Sequence, residues 1–385
     1  MLKKHSRKFI LLLLFALSLI PISTVGSAIS YALFYAVVTI PLISCIYLLY
    51  VYKSFSIYQN LSTRNITVGE LVPYNFVIRN EGITVFTAIN IKVFSDFSYV
   101  MDVPDDQVFS VFPGGEIMYD TTLICRYRGE YKVGVSKVVL TDFLKLFSYS
   151  YSIMSPFEAI VKPRIINLDL RQDIPDLDVF IHNNVKGEIN EPDLVVRDYI
   201  PGDSLKKIHW KSTAKTAKIK VRNEIGILKE KILLITDFER VSLDIHEYLP
   251  LENKVLEQTI GLLYHFVCEK IPIKLVYHTH ELFDSLISDI GRFNTIYEEL
   301  SKIHFRRENS FLSLYEKVSH YGLITGVQLV LMVVHYMDDE LYARLAELVR
   351  TSKVTVIYVI TNEDITKYCR QSTERFRILK VGLEC

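Results

Sequence analysis

The stretch FILLLLFALSLIPISTVGSAISYALFYAVVTIPLISCIYLLYVY spans residues 9–52 and contains no charged side chain. One helix crosses the hydrocarbon core of a bilayer with about twenty residues, so this run of roughly forty residues accommodates two crossings. Pro21 and Gly26 bracket a short segment of small and polar residues, where the chain is expected to turn. The pattern predicts an anchor in residues 1–56, with transmembrane helices at about residues 9–24 and 28–52.

Basic residues flank this anchor on both sides. Four precede the first helix and two follow the second: Lys3, Lys4, Arg7, Lys8, Lys53 and Arg64. Because cytoplasmic flanks carry an excess of Lys and Arg, both ends of the hairpin are expected in the cytoplasm. The sequence thus predicts a multi-pass protein of the inner (cytoplasmic) membrane with its soluble domains in the cytoplasm. A cleaved signal peptide ending near Ala28 is the alternative, since a basic start before a Leu-rich run is also its signature.

The composition bounds the classes of function. The 385 residues include 44 Lys plus Arg and 44 Asp plus Glu. This balance creates no global field towards polyanions, and we expect no nucleic-acid partner. A hydrophobic share of 50% excludes a mainly disordered chain. The five scattered cysteines show neither metal-ligand spacing nor a disulfide framework, which suits a reducing compartment.

Residues 61–160 are typical of a small β domain. Four runs rich in β-branched and aromatic residues predict strands, at Tyr74–Arg79, Ala88–Phe94, Thr121–Tyr127 and Tyr131–Leu140. Turn signals such as Asn80-Glu81-Gly82 and Pro113-Gly114-Gly115 separate them at the spacing of an antiparallel sandwich. The segment contains no His, so we expect an Ig-like β-sandwich that acts as a binding or spacer module.

Residues 229–385 alternate between short apolar strands and amphipathic helices. The predicted strands are Lys231–Asp237, Ile273–His278, Val327–His335 and Val354–Thr361. The predicted helices are Leu251–Cys268, Arg292–Ile303, Phe311–Tyr321 and Asp338–Thr351. Such alternation implies a parallel sheet covered on both faces, a Rossmann-like doubly wound domain. No glycine-rich fingerprint or P-loop motif follows any of the strands, so neither a dinucleotide nor a P-loop phosphate site is predicted.

The most unusual stretch is VVRDYIPGDSLKKIHWKSTAKTAKIKVRNE at residues 195–224, within a predicted linker at 161–228. It holds the only Trp, Trp210. Pro201-Gly202 fits a tight turn, and Asp203 is placed to cap a short helix beginning near Ser204. Asp198 and Asp203 could pair with Arg197 or the lysines and so fix the turn. The stretch also provides a candidate basic surface: Lys206, Lys207, Lys211, Lys218, Lys220 and Arg222.

This stretch resembles the bacterial domain of unknown function 58 family. The matching residues are Arg197, Tyr199, Pro201-Gly202-Asp203, Ile208, Trp210, Thr213-Ala214 and Val221–Glu224. Upstream, Tyr127–Tyr131 and Asp142–Phe147 are similar to the family's segment before its core domain, although Phe143 and Lys145 stand where Pro and Gly are common. The resemblance implies a membrane hairpin, a β domain and a von Willebrand A-like α/β domain. It also implies a partner, a MoxR-type AAA ATPase, in the assembly or maturation of envelope complexes.

The von Willebrand A resemblance raises the question of a metal. Many such domains bind Mg²⁺ through Asp-x-Ser-x-Ser after the first strand, and here that place reads Asp237-Phe238-Glu239-Arg240-Val241. Glu239 and Val241 replace the hydroxyl ligands, which leaves Asp237 and Glu239 as a degenerate site, and no cofactor is expected. A cluster of His278, His280 and Glu281, or a base at His209, is less favoured than ordinary surface or packed histidines.

Two classes of function remain open, and no catalytic residue is predicted. In the preferred one, the protein is a membrane-anchored, non-catalytic adaptor whose signature surface binds a protein partner, with the basic stretch adding attraction to that partner or to anionic lipid. In that class, Pro201-Gly202, Asp203 and Trp210 either contact the partner or lock the linker against the C-terminal domain. The alternative is a metal-dependent hydrolase that uses Asp237 and Glu239 at the carboxyl edge of the sheet.

Overall fold

The computed structural model of the chain describes residues 2–24, 26–103, 107–153, 156–178, 181, 191–200, 208–225, 232–307, 310–347 and 354–383. It divides into two compact units, Met1–Arg164 and Ile165–Cys385. The first unit contains the apolar helices and the β-strands that follow them. The second contains the signature stretch and a six-stranded sheet.

Two apolar helices open the first unit. They are α1 (Leu2–Thr24) and α2 (Ala28–Ser54). Gly26 has a φ of 58°, a conformation that favours glycine, and the Ser27 side chain caps α2 by accepting from the Ser30 amide. The predicted helix pair is therefore confirmed. α2 is long and apolar enough to cross a membrane, whereas the apolar part of α1 is the shorter Phe9–Thr24.

Eleven described strands complete the first unit. They are β1 (Phe55–Leu61), β2 (Asn65–Thr67), β3 (Val72–Asn80), β4 (Phe86–Val93), β5 (Ser98–Val100), β6 (Val108–Val111), β7 (Glu116–Cys125), β8 (Gly129–Val133), β9 (Val135–Thr141), β10 (Ser148–Ser152) and β11 (Phe157–Lys162). They form three sheets, with the orders β1-β3-β7-β5, β10-β9-β4-β6 and β2-β11-β8. Alternate residues of β3 are buried, as period-2 patterning requires.

Two boundaries in this unit differ from the expectation. The strands begin at Phe55, directly after α2, rather than near residue 61. The predicted strand Tyr131–Leu140 is two strands, β8 and β9, because Gly134 lies between them with a φ of 85°. A Cβ atom at residue 134 would also lie only 2.8 Å from the side-chain oxygen Oε1 of Gln59. The break between the two strands therefore requires glycine.

The start of the second unit is not a simple linker. Leu170, Ile174 and Leu177 are buried in the core of this unit, although residues 161–228 were expected to connect domains. Further on, β12 (Glu191–Asp198) and β13 (Lys220–Ile225) pair antiparallel, and α3 (Trp210–Thr216) lies between them in the chain.

The remainder of the second unit is a mixed sheet with helices. Its strands are β14 (Ile232–Thr236), β15 (Ile273–His278), β16 (Leu282–Ile287), β17 (Leu329–Val334), β18 (Val354–Ile360) and β19 (Phe376–Val381). Its helices are α4 (Ile245–Cys268), α5 (Ile290–Ser301), α6 (Phe311–His320), α7 (Asp339–Ala346) and α8 (Thr366–Cys369). All adjacent strands are parallel except β16, which pairs antiparallel with β15, so the expectation of a wholly parallel sheet was wrong at this edge.

The strand order is β16-β15-β14-β17-β18-β19. From β14 the chain first extends the sheet through β15 and β16, and then crosses to β17 on the other side of β14. Alternate residues of β14 enter two cores: Ile232 and Leu234 join the cluster of α4 and α5, while Leu233 and Ile235 join that of α6 and α7. The sheet is therefore covered on both faces, and its order reverses between β14 and β17.

Candidate functional site

The candidate site lies where β14 and β17 end. Asp237 directly follows β14, and His335 directly follows β17. Because the two strands are parallel neighbours, with Thr236 opposite Val333, the residues after them meet at one edge. The Asp237 amide donates to the Val333 carbonyl at 2.9 Å and so fixes this carboxylate beside His335.

Asp237 and His335 form a buried pair. Asp237 Oδ2 lies 2.5 Å from His335 Nδ1, and Asp237 has no exposed surface. Apart from this contact, Oδ2 has no hydrogen-bond partner in the part of the chain that the structure describes. Burial alone would lower the pKa of His335, but the Asp237 and Glu239 carboxylates outweigh it and raise the pKa. The two carboxylates therefore favour the protonated form of His335.

Glu239 completes the group and also caps a helix. Its backbone amide donates to Asp237 Oδ1 at 2.9 Å, and its carboxylate accepts from the Phe311 amide at the start of α6. Ser310, the residue before α6, makes no side-chain cap, so Glu239 serves as the cap from outside the helix. Burial, followed by the nearby Asp237 charge, raises the pKa of Glu239.

A cleft of about 660 Å³ opens beside these residues. His335 and Glu239 lie in its wall together with Glu247, Arg307 and Glu363. At its rim, Arg240 is bound to α4: its Nε donates to Glu252 Oε1 at 2.7 Å, and its guanidinium lies 4.0 Å from the Tyr248 ring centroid. The cleft thus combines charges of both signs at the point where the strand order reverses, which is where doubly wound sheets place ligands.

The donor atoms of Asp237, Glu239 and His335 all lie within 4.8 Å of one another. Two carboxylates and an imidazole suit Mn²⁺ or Zn²⁺, whereas Mg²⁺ prefers oxygen ligands throughout. The residues present therefore suit a transition-metal ion better than Mg²⁺, the ion of many von Willebrand A-like domains, although the sequence led us to expect no cofactor. A bound ion would displace the proton of His335, so its affinity would rise with pH.

The other histidines considered from the sequence do not form a metal cluster in the described chain. His278 Nε2 lies 2.9 Å from Lys317 Nζ, and His280 Nδ1 lies 3.3 Å from Arg306 Nη1. Both therefore face cations rather than each other. His209 caps α3, because its Nδ1 accepts from the Ser212 amide at 3.0 Å.

The signature stretch is described only in part. Its residues 201–207, which include Pro201, Gly202, Asp203, Lys206 and Lys207, lie outside the described residues, as does the side chain of Arg222. The helix expected near Ser204 therefore also falls outside, and α3 begins at Trp210. Arg197 and Tyr199 lie in and just after β12, on the strand that pairs with β13.

Trp210 exposes 70% of its surface. The interpretation that it locks the linker by packing against the α/β domain is therefore wrong, because a packed indole would be largely buried. An exposed Trp beside the exposed Lys211 is instead typical of a contact surface.

Three residues of the expected basic surface, Lys211, Lys218 and Lys220, have described side chains. Lys220 Nζ is paired with Asp198 Oδ1 at 2.6 Å, and this hydrogen bond lowers the pKa of Asp198. This pair confirms the expectation that Asp198 is bound by a nearby cation. Lys211 and Lys218 are exposed and remain candidates for a basic surface.

His335 is the site residue that sequence reasoning missed. A signal existed: His335 is a titratable residue directly after a fully buried strand, as Asp237 is. The role of His335 depends on β17 lying next to β14, and the sequence does not specify which strands are neighbours in the sheet.

Comparison with known proteins gives no family. No protein-family model matches the chain, and no curated protein matches it. Among solved structures, a FixG-related protein from Vibrio parahaemolyticus is 14% identical over 28% of this chain and 97% of that one, with a TM-score of 0.21. The CARDB domain of a Pyrococcus furiosus protein in complex with di-metal ions is 11% identical over 28% of this chain and 86% of that one, with a TM-score of 0.19.

A third solved structure covers more of the chain. The GH20 exo-β-N-acetylglucosaminidase from Vibrio harveyi is 7% identical over 85% of this chain and 81% of that one, with a TM-score of 0.18. At such TM-scores these likenesses carry no argument about the function of this chain.

Proposed function

We propose that this protein is a membrane-anchored adaptor of the domain of unknown function 58 type, without catalytic activity. In this proposal the helix pair spans the inner membrane, an Ig-like sandwich follows it, and a von Willebrand A-like domain presents a binding cleft in the cytoplasm. The partner is a MoxR-type AAA ATPase, and the task is the assembly or maturation of envelope complexes. The observation that carries the proposal is the charged cleft at the carboxyl edge of the sheet.

Two features support a protein partner. Charges of both signs line the cleft, and complementary charge gives an interface its specificity and its association rate. Trp210 supplies an exposed aromatic side chain of the kind that dominates interface energies. Lys211 and Lys218 add positive charge in the same stretch.

Affinity capture of the ATPase from native membranes tests the proposal. Arg307→Glu reverses a charge in the cleft wall, and Arg375→Glu is the matched control, since Arg375 is exposed at the amino end of β19 on the opposite edge of the sheet. We expect Arg307→Glu to reduce capture by about tenfold, which corresponds to about 1.4 kcal/mol. Equal capture by both variants would show that the cleft is not the contact.

The basic surface has its own test. Reversing Lys206, Lys207 and Lys211 together should weaken capture if this surface contacts the partner or anionic lipid. Capture that survives this reversal at physiological salt excludes the basic surface while leaving the cleft as the contact.

A metal-dependent hydrolase is the second candidate, favoured by the group of Asp237, Glu239 and His335. The bound ion would activate water, and the cleft would hold the substrate. Isothermal titration with Mn²⁺ should then show binding that strengthens between about pH 6 and pH 8 as the site loses its proton. Glu239→Gln should abolish both this binding and any hydrolysis. No heat of binding at either pH contradicts this candidate and leaves the adaptor proposal untouched.

A further inference from the structure

The turn between β9 and β10, residues 142–147, lies against the middle of α2. The Ser44 hydroxyl donates to the Asp142 carboxylate, and the Phe143 ring lies 5.4 Å from that of Tyr47. Ser44 precedes the end of α2 at Ser54 by a rise of about 15 Å, at about 1.5 Å per residue. The turn therefore extends back along α2, well away from the helix end at which the β-strands begin.

Apolar residues also lie beside the turn on the part of α2 that precedes Ser44. The turn and both apolar helices line a cavity of about 300 Å³, with Ile10, Leu14, Ile40, Pro41, Leu144 and Leu146 in its wall. Arg7 also lines it. Leu14 lies about 10 Å further along α1 than Arg7. Leu144 and Leu146 therefore line one cavity with residues that extend from the basic flank into the uncharged part of the hairpin.

Several amides of the turn have hydrogen-bond partners within the turn itself. The buried Asp142 carboxylate accepts from the amides of Leu144 and Phe147, at 3.2 and 2.7 Å. The Lys145 amide donates to the Asp142 carbonyl, and the Asp142 amide to the Phe147 carbonyl. Each of these bonds lowers the cost of bringing the backbone close to hydrocarbon, because no water is present there to replace a missing partner.

The outer surface of the turn is apolar except for one cation. Phe143 is 45% exposed and Leu144 37% exposed, and Lys145 is exposed between them and Leu146. Nearer to the end of α2, the Tyr52 and Tyr149 rings meet at 4.6 Å, as in an interfacial aromatic belt. An apolar tip above an aromatic belt matches the layers of a bilayer leaflet.

We infer that residues 142–147 insert into the cytoplasmic leaflet beside the hairpin, with Phe143 and Leu144 among the acyl chains and the Lys145 ammonium extended to a lipid phosphate. The inference rests on the proposed membrane anchor. The length of the hairpin supports it: Phe9–Thr24 and the part of α2 before Ser44 each rise about 24 Å, short of a hydrocarbon core of about 30 Å. α2 therefore has to extend past Ser44 to span the bilayer, and the turn bound at Ser44 is carried into the leaflet with it.

Tryptophan quenching in vesicles tests this inference on the full chain. Trp210, the only Trp, is first replaced by Phe, and single tryptophans are then placed at Leu144, Leu71 or Leu33. Leu71 is 64% exposed just before β3, at the end of the sheet remote from α2, and Leu33 lies on the exposed face of α2. The quenchers are phospholipids brominated near the middle of the acyl chain, and iodide in the water.

We expect the brominated lipids to quench the tryptophans at 144 and 33 at least threefold more than the one at 71, and iodide to show the reverse order. Quenching at 33 with iodide access at 144 would overturn the inserted turn and leave the anchor standing. No lipid quenching at 33 would overturn the anchor and the turn with it. Leu71→Trp is the same substitution at another exposed Leu, so it controls for the general effect of placing an indole on the surface of the first unit.

Discussion

At the scale of single residues, the Asp237 and His335 pair is the main chemical feature of the molecule. Both residues follow fully buried strands, where a polar side chain is costly unless it finds a partner. Sequence reasoning identified Asp237 because it follows the first strand of the α/β domain. It could not identify His335, because the pairing depends on which strand lies beside β14.

The pair predicts how stability depends on pH in the metal-free protein. The folded pKa of His335 is raised above its ordinary 6.5, so its contribution is full below that value and is lost as pH rises through the folded pKa. The raised pKa of Glu239 acts in the same direction at lower pH. We expect the free energy of unfolding, measured with urea in EDTA, to fall as pH rises above about 6.5, and His335→Gln to flatten that fall.

His265 provides the control for this prediction. Burial lowers its pKa, so its contribution has the opposite sign and is lost as pH falls below 6.5. Removing it in His265→Gln should therefore leave the fall above pH 6.5 unchanged. An unchanged slope in His335→Gln would mean that the pKa of His335 is not raised in the folded protein.

Lys145 gives a second prediction at this scale. Its φ of 56° lies in the left-handed region, and the resemblance places Gly at this position in the family. The left-handed conformation costs an L-residue about 1–2 kcal/mol, and Gly costs about 0.5–1 kcal/mol in entropy, so Lys145→Gly should stabilise the first unit by up to about 1 kcal/mol. Thermal unfolding in detergent measures this. Lys132→Gly, in the middle of β8, should instead destabilise, and a loss of similar size in both variants would contradict the prediction.

At the scale of helices and strands, the sequence predicted the buried elements well and the edges poorly. Ile273–His278 was predicted at its observed bounds because its first five residues are fully buried. β16 and β19 were missed, since half-exposed edge strands are stabilised by pairing with distant residues rather than by a local apolar run. α4 was expected from Leu251 but begins at Ile245, because its exposed first turn carries no apolar pattern and only the Asp244 cap marks it.

One face of α2 packs on the β-strands and another face is exposed. A pair of substitutions should distinguish the two faces. Leu48 is 7% exposed and packs in the core of the β-strands, whereas its neighbour Leu49 is 62% exposed. We expect Leu48→Ala to lower the unfolding free energy of the first unit by about 2–4 kcal/mol and Leu49→Ala by less than about 1 kcal/mol. Chemical denaturation in one detergent compares the two. Equal losses would mean that the β-strands do not pack on this face of the helix.

At the scale of the whole molecule, the sequence predicted an apolar helix pair followed by β-rich and α/β parts, and the structure confirms that order. The sequence predicted the extent of the second unit less well. Leu170, Ile174 and Leu177 are buried in its core, yet they follow neither a strand nor a long helical period, so their burial is a purely tertiary effect. The pairing of β12 with β13 likewise joins segments on either side of the signature turn.

The proposed anchor predicts on which side of the membrane the second unit lies. Two crossings return the chain to its starting side, so the exposed Cys268 should be cytoplasmic and the turn between α1 and α2 external. In a chain whose other cysteines are serines, a membrane-impermeant maleimide should leave Cys268 unmodified in intact spheroplasts and modify it after permeabilisation. A single cysteine at Thr24, the exposed last residue of α1, should react in intact spheroplasts. Modification of Cys268 from outside would place the second unit outside the cytoplasm, and its cleft would then be out of reach of any cytoplasmic ATPase.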